Sequence, residues 1–322
     1  MHENCIHAFR GFVLTAAFGL QACLGAPAQF NYSDNGDGTV TVTGYTGRSE
    51  HVDIPHHLGR YKVRAIGTWA FNENSNIKSL TLPESITSIG DLAFENCSRL
   101  AHIDFDNNLT NISTSFGGSA LTSVRIPKGV ISIDGSFWSC LDLENVTIPA
   151  SVSRIENDFY YCLNLQSITV DRRNSAYSSA DGVLFNKDQT ELILCPAGKS
   201  GIYNSPDTVT SIGEDAFAWC GDLTGIVLPE GVTNIGYASF FSCSGLTNIT
   251  IPASVTTIDD WTFAQCNNLN ALYFLGNAPM LGGSYIFYSD NGNGLVAYYL
   301  PGTTGWEEFT AATGVRAVPW AP

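Results

Sequence analysis

The sequence predicts a repeat solenoid, mainly β, in which coils of 21–23 residues stack between β-strand caps and one hairpin is inserted. Three observations carry that prediction. First, the pattern V-T-x-I-x-x-x-x-F-x-x-C-x-x-L-x-x-I-x-I-P returns in residues 209–229 (VTSIGEDAFAWCGDLTGIVLP), 232–252 (VTNIGYASFFSCSGLTNITIP) and, up to its final Ile-Pro, 255–274 (VTTIDDWTFAQCNNLNALYF). Second, its first isoleucine recurs at Ile66, Ile89, Ile112, Ile133, Ile155, Ile212, Ile235 and Ile258, and its phenylalanine at Phe71, Phe94, Phe116, Phe137, Phe159, Phe217, Phe240 and Phe263, so eight coils are visible. Third, the coil ends in an alternation that suits a half-buried strand and is stopped by proline, and no helical period of adequate length is present. A single coil cannot bury its own apolar side, whereas a stack buries a shared interior.

Taken in chain order, residues 1–28 have the form of an export signal. An apolar run (GFVLTAAFGL, residues 11–20) follows Arg10, and Ala26-Pro27-Ala28 supplies small residues for cleavage before Gln29. A competing reading takes Leu20-Gln21-Ala22-Cys23 as an acylation site, with a lipid anchor on Cys23. Residues 29–62 form an N-terminal β cap, because TVTVTGY at 39–45 alternates after the turn Asn35-Gly36-Asp37-Gly38. Coils one to five fill residues 63–170. The step from Ile155 to Ile212 is 57 residues instead of 22 or 23, which places an insert at 171–205 with a hairpin between 182–185 and 192–195. Coils six to eight fill 206–275. Residues 276–322 form a C-terminal cap, with a strand at 295–300 after Asp290-Asn291-Gly292-Asn293-Gly294. After the first segment nothing is apolar for the ~20 residues a membrane span needs.

Fifteen Lys and Arg stand against 30 Asp and Glu, a formal net charge of −15, and no Lys/Arg cluster occurs along the chain. Nucleic acid and anionic lipid are therefore excluded as partners. Hydrophobic residues make up 44% of the chain, enough for a continuous core.

The repeated V-T-x-I-G-x-x-A-F-x-x-C-x-x-L-T-x-I-x-I-P resembles the repeat of the BspA-like leucine-rich repeat surface proteins of bacteria. DGVLFNKD at 181–188, Cys195-Pro196-Ala197-Gly198-Lys199 and YYLPGTTGW at 298–306 are similar to that family as well. The resemblance covers nearly all of the chain after the export signal. It implies leucine-rich-type coils used for adhesion or protein contact outside the cell, and it speaks to architecture more firmly than to ligand. Two departures, Ser119 near the cysteine position and Phe105-Asp106 in place of Ile-Pro, predict an irregularity around residues 105–120.

Six cysteines hold one coil position: Cys97, Cys140, Cys162, Cys220, Cys243 and Cys266. Their expected role is a structural ladder of buried thiols packing as compact apolar groups. Disulfides or metal between adjacent coils are the alternative, although metal sites need Cys and His at shorter spacing. His51, His56 and His57, near Asp53, are too loosely spaced for a metal motif, so no metal site is expected. Ala197-Gly198-Lys199-Ser200 imitates a phosphate-binding loop but has Ile193 where the first glycine belongs. The turn DNGDG at 34–38 is similar to a calcium loop but has Gly44 where the bidentate acid belongs.

The outward position of the strands reads Thr81, Asp104, Arg125, Thr147, Thr169, Val227, Thr250 and Tyr273. Threonine dominates, as cross-strand pairing prefers. His102, Asp104 and Arg125 form the one charged group there, expected to be a surface ion pair. Between Phe and Cys, the variable positions carry Trp138, Tyr160, Tyr161, Trp219 and Phe241. These rings either pack over the turns or form an aromatic strip for a ligand. No catalytic constellation or cofactor motif is found. The expected function is binding of an extracellular protein or glycan, in adhesion or recognition and without catalysis, by a secreted or cell-surface protein. The alternatives are a hydrolase of extracellular polysaccharide and a structural spacer.

Overall fold

A computed structural model describes residues 29–105, 108–112, 114–156, 158–288 and 294–321. The segment read as an export signal (with Cys23), Asp106, and residues 290–293 of the last turn lie outside them.

Each coil has three sides. On the first, three- to five-residue strands pair in parallel: His51–Asp53, Ser79–Thr81 and His102–Asp104; Ser123–Arg125, Asn145–Ile148 and Ser167–Val170; Gly201–Asn204 and Leu223–Val227; and Asn248–Ile251, Ala271–Phe274, Val296–Tyr299 and Arg316–Pro319. Register places apolar on apolar, Val146 beside Ile168 and Ile249 beside Leu272, and leaves Thr147 beside Thr169 facing outward. On the second side the strands shrink to two or three residues centred on the recurring isoleucine, as in Ser211–Ile212, Asn234–Ile235 and Thr257–Ile258. The solenoid has about twelve turns. The surplus over the eight visible coils comes from the ends and the insert, which continue the strand pairing without the full repeat signature.

The third side carries the phenylalanine. Its backbone is left-handed two residues before and two after that ring: Trp69 and Glu73, Leu92 and Asn96, Asp215 and Trp219, Ala238 and Ser242, Trp261 and Gln265. Such a conformation costs a non-glycine residue ~1–2 kcal/mol. With a left-handed residue on each shoulder of the ring, every second N–H faces the next coil, while Ala218 and Cys220 donate within their own coil to Asp215 and Phe217. Asp215, Phe217 and Trp219 thus donate to the carbonyls of Tyr237, Ser239 and Phe241 in the next coil at 2.7–3.0 Å, and Ala238, Phe240 and Ser242 donate one coil further to Asp260, Thr262 and Ala264. Inter-coil hydrogen bonds offset the strain.

Between these sides the phenylalanines stack in two columns, Phe71 through Phe94, Phe116 and Phe137 to Phe159, and Phe217 through Phe240 and Phe263 to Phe287, with centroids 5.0–5.8 Å apart. The insert separates them. Its hairpin forms by antiparallel pairing of Val183–Asn186 with Glu191–Leu194. Strand Val183–Asn186 is buried on both faces. Leu184 belongs to the apolar cluster on its N-terminal side, and Val183 and Phe185 to the cluster on the other. A two-faced wall therefore divides the shared interior expected from the repeat.

Two irregularities stand out. Among the described residues the first-side ladder is interrupted between His102–Asp104 and Ser123–Arg125, where the second side keeps a bridge between Asn111 and Ser132. Near the C-terminus a short α-helix, Trp306–Thr313, lies between left-handed Gly305 and Gly314 and buries Trp306 and Phe309 against Phe274. Eight residues give too few apolar repeats for a helical period to show in the sequence.

Phe240, ringed at 5.2 Å by both Phe217 and Phe263, tests the column. Phe240→Ala is expected to cost about 3–5 kcal/mol in guanidinium denaturation; a cost under about 1 kcal/mol would mean that the column is not tightly packed.

Candidate functional site

The six repeat cysteines are free and buried, as is Cys195 of the insert. They do more than fill space. Cys97, Cys140, Cys162, Cys243 and Cys266 donate their thiols to the carbonyls of Phe71, Phe116, Phe137, Phe217 and Phe240, one coil back, at 2.9–3.2 Å. Cys220 faces the carbonyls of Cys195 and Pro196 at 3.6 and 3.7 Å, because Cys195 stands where the insert coil lacks a phenylalanine. A small side chain with a weak donor therefore supports a buried carbonyl in each coil that carries the cysteine. Burial pushes the Cys97 thiol up to about 12 and the Cys243 thiol well above its ordinary value, which keeps both protonated.

Asp158 is the one acid just before the recurring phenylalanine, where other coils carry Ala, Ser or Thr. It is buried, and its Oδ1 accepts the Ser136 N–H at 2.7 Å. Burial lifts it to about 7 despite that hydrogen bond. Asp215 is lifted to about 7 by burial and by the neighbouring Glu214.

The aromatic residues separate into two groups. Tyr160 and Tyr161 each meet Trp219 edge-on, with centroids at 6.1 and 4.8 Å, and Trp219 meets Phe241 at 5.2 Å. The two tyrosines reach Trp219 across 59 and 58 residues of sequence because only the short turn after Cys195 occupies this edge in the insert coil. Trp138 stays apart and lies over Gly117, where a Cβ would come within 2.0 Å of its Nε1.

The positions between Phe and Cys reveal only part of this edge. Phe241 continues to Trp261 at 6.3 Å, and Trp261 to Tyr285 and Tyr288 at 5.3 and 5.4 Å. Trp261 and Tyr285 sit two residues before their phenylalanines, on the other flank of the same left-handed turn, where sequence reasoning missed them. A contiguous row of seven rings results, in which Tyr285 and Tyr288 are about half exposed and Tyr160 and Tyr161 somewhat less.

Elsewhere the charged group expected on the first side does not assemble around Arg125. That residue makes no ion pair among the described residues, because the ladder is interrupted between Asp104 and Arg125 and the register partner of Arg125 is Thr147. His51 meets Ser79 through Nδ1 at 2.7 Å, and His56 and His57 are exposed. Among the described residues no three His, Cys, Asp or Glu side chains gather in a metal-binding group, and no helix is long and apolar enough to cross a membrane.

Parallel strands, a buried isoleucine column and repeating left-handed turns define a leucine-rich-repeat β-solenoid. The model of the BspA type leucine rich repeat region matches residues 64–180 and 201–295 in six copies. The chain belongs to that family. A leucine-rich repeat protein of Eubacterium ventriosum shares the fold with a TM-score of 0.67 and 23% identity, over 91% of this chain and 84% of the other. The pneumococcal vaccine antigen PcpA shares it with a TM-score of 0.60 and 19% identity, over 91% of this chain and 97% of the other. No curated protein matches the sequence.

Two measurements test these assignments. An aromatic disulfide reagent is expected to label none of the seven described cysteines in the native protein and all seven after denaturation without reductant; a shortfall in the denatured sample would reveal a disulfide. For Asp158, the fold retains a proton that the unfolded chain releases above about pH 4, so stability falls from about pH 4 to about pH 7 and then levels. Asp158→Asn keeps an acceptor for Ser136 and is expected to raise stability near pH 8 by roughly 2–4 kcal/mol with little effect near pH 4. An unchanged slope in the variant would contradict the assignment.

Proposed function

We propose that this protein is exported to the cell surface or beyond and binds a protein or glycan partner along its aromatic edge, without catalysis. The observation that carries the reading is the row from Tyr160 to Tyr288, which links side chains of five turns into one stripe on the outside of the rod. Packing over the turns accounts for the bases of these rings but not for their partial exposure at the ends of the row. Tyr and Trp dominate binding hot spots because they supply large area at low entropic cost. A rigid backbone ladder beneath the row lowers that cost further. Family membership and the export-type first segment support an extracellular setting. Asp158 does not favour a hydrolytic role, since its Oδ1 is taken up by the Ser136 amide in the interior.

The test is an array of glycans and extracellular matrix proteins probed with the chain from residue 29 onward. At least one partner is expected to be retained. Tyr160→Ala/Tyr285→Ala/Tyr288→Ala together should weaken it by ~100-fold or more, each hot-spot ring being worth ~1–2 kcal/mol, with the melting temperature little changed. No retained partner, or equal affinity in the triple variant, would reject the aromatic edge as the binding surface.

A further inference from the structure

A depression of about 240 Å³ opens on the first side, over the strands Ser123–Arg125 and Asn145–Ile148 and the segment that follows Ser167–Val170. Arg125, Lys128 and Arg173 line it together with Asp171, and the partly exposed Thr147 and Ala150 contribute its floor. We propose that this depression binds the carboxylate or sulfate group of an acidic saccharide.

Charge is the first argument. Three cations face one carboxylate here, in a chain that carries only 15 Lys and Arg and a net charge of −15. Sequence order hides the grouping, since Arg125 and Arg173 are two coils apart. Arg125 and Lys128 make no ion pair among the described residues, so their donors are free for a ligand. Arg173 is held by Asp171, with Nε at 3.1 Å from Oδ1 and Nη2 at 2.8 Å from Oδ2. Its side chain is nevertheless 74% exposed. Asp171 orients the guanidinium, and the remaining N–H groups face solvent.

Rigidity is the second. The Asp171 N–H donates to the Ile148 carbonyl at 2.8 Å and ties the loop to the coil beneath. Fully buried Asn174 donates to the carbonyls of Pro149 and Val152 at 2.9 and 2.8 Å and accepts the N–H groups of Ala176 and Tyr177. Lys187 of the inserted hairpin donates to the carbonyls of Arg172 and Asn174. The loop bearing Arg173 is therefore fixed on three sides before any ligand arrives, which reduces the entropic cost of binding.

Size and lining decide the ligand class. The volume lies below the ~300–1,000 Å³ of sites for drug-sized ligands, so it admits one monomer-sized group. A sugar ring presents an apolar face to the partly exposed Thr147 and Ala150 while its acid group meets the arginine forks. An acidic peptide side chain would engage the cations and leave the floor unused. The site shares no residue with the aromatic edge and stands or falls without it.

Calorimetric titration of the chain from residue 29 onward with a heparin-derived hexasaccharide, with maltohexaose as the neutral control, tests the proposal. Binding is expected for the anionic probe alone, weakening as salt is added. Arg125→Gln and Lys128→Gln should each reduce affinity about tenfold, as loss of a charge-assisted contact does. Arg316→Gln, on the last strand, should leave it unchanged. Absence of heparin binding, equal affinity in Arg125→Gln and Lys128→Gln, or tighter binding of hexaglutamate than of the hexasaccharide would each overturn the proposal.

Discussion

In the regular coils two residues stand in left-handed backbone, and their amides, with that of the phenylalanine between them, point along the rod and donate to the coil that follows. Most of the other regularities descend from this arrangement. The phenylalanine between the two left-handed residues is directed inward and stacks on its counterpart about 5 Å away. Its carbonyl is left needing a donor in a space too small for most side chains. The cysteine thiol three residues on, in the next coil, is small enough to enter and polar enough to donate. The Cys signature is therefore a consequence of the turn geometry, and the thiols need no redox or metal chemistry to explain their spacing.

The same geometry places the residues beside the left-handed turn on the outer surface, one above another. That is why an aromatic row can be assembled from residues scattered between Tyr160 and Tyr288, and why its continuity depends on the insert. Val183–Asn186 splits the interior into two clusters, yet the insert coil contributes so short a turn on the outer edge that Tyr161 meets Trp219 directly. The hairpin interrupts the core while leaving the aromatic edge unbroken. On another side of the rod it also supplies Lys187, which secures the loop of Arg173.

Much of the fold was legible in the sequence because a solenoid repeats its own instructions. Eight copies of Ile and Phe at fixed spacing leave little freedom for any other architecture. The parts that were not legible lack that redundancy. The helix Trp306–Thr313 is a single short element, and the two-faced burial of Val183–Asn186 has no repeat partner to expose it. Trp261 and Tyr285 escape notice in the sequence because they lie before the phenylalanine, and only the backbone shows that both flanks of the turn share one edge. Cysteine spacing reveals the buried ladder but not its polar role, since a hydrogen bond to a carbonyl one coil back leaves no trace in composition. The pairing of Asp104 with Arg125 fails for a related reason: adjacency in the repeat does not guarantee register across an interrupted ladder.

Residue-resolved native-state hydrogen exchange tests the backbone ladder most directly. The amides of Phe217, Trp219, Ala238, Phe240 and Ser242 are expected to exchange only as slowly as global unfolding allows, matching those of the strand Asn248–Ile251. Exchange of these amides at the rate of exposed loops would show that the left-handed side is a loose surface turn, and the account built on it would fail.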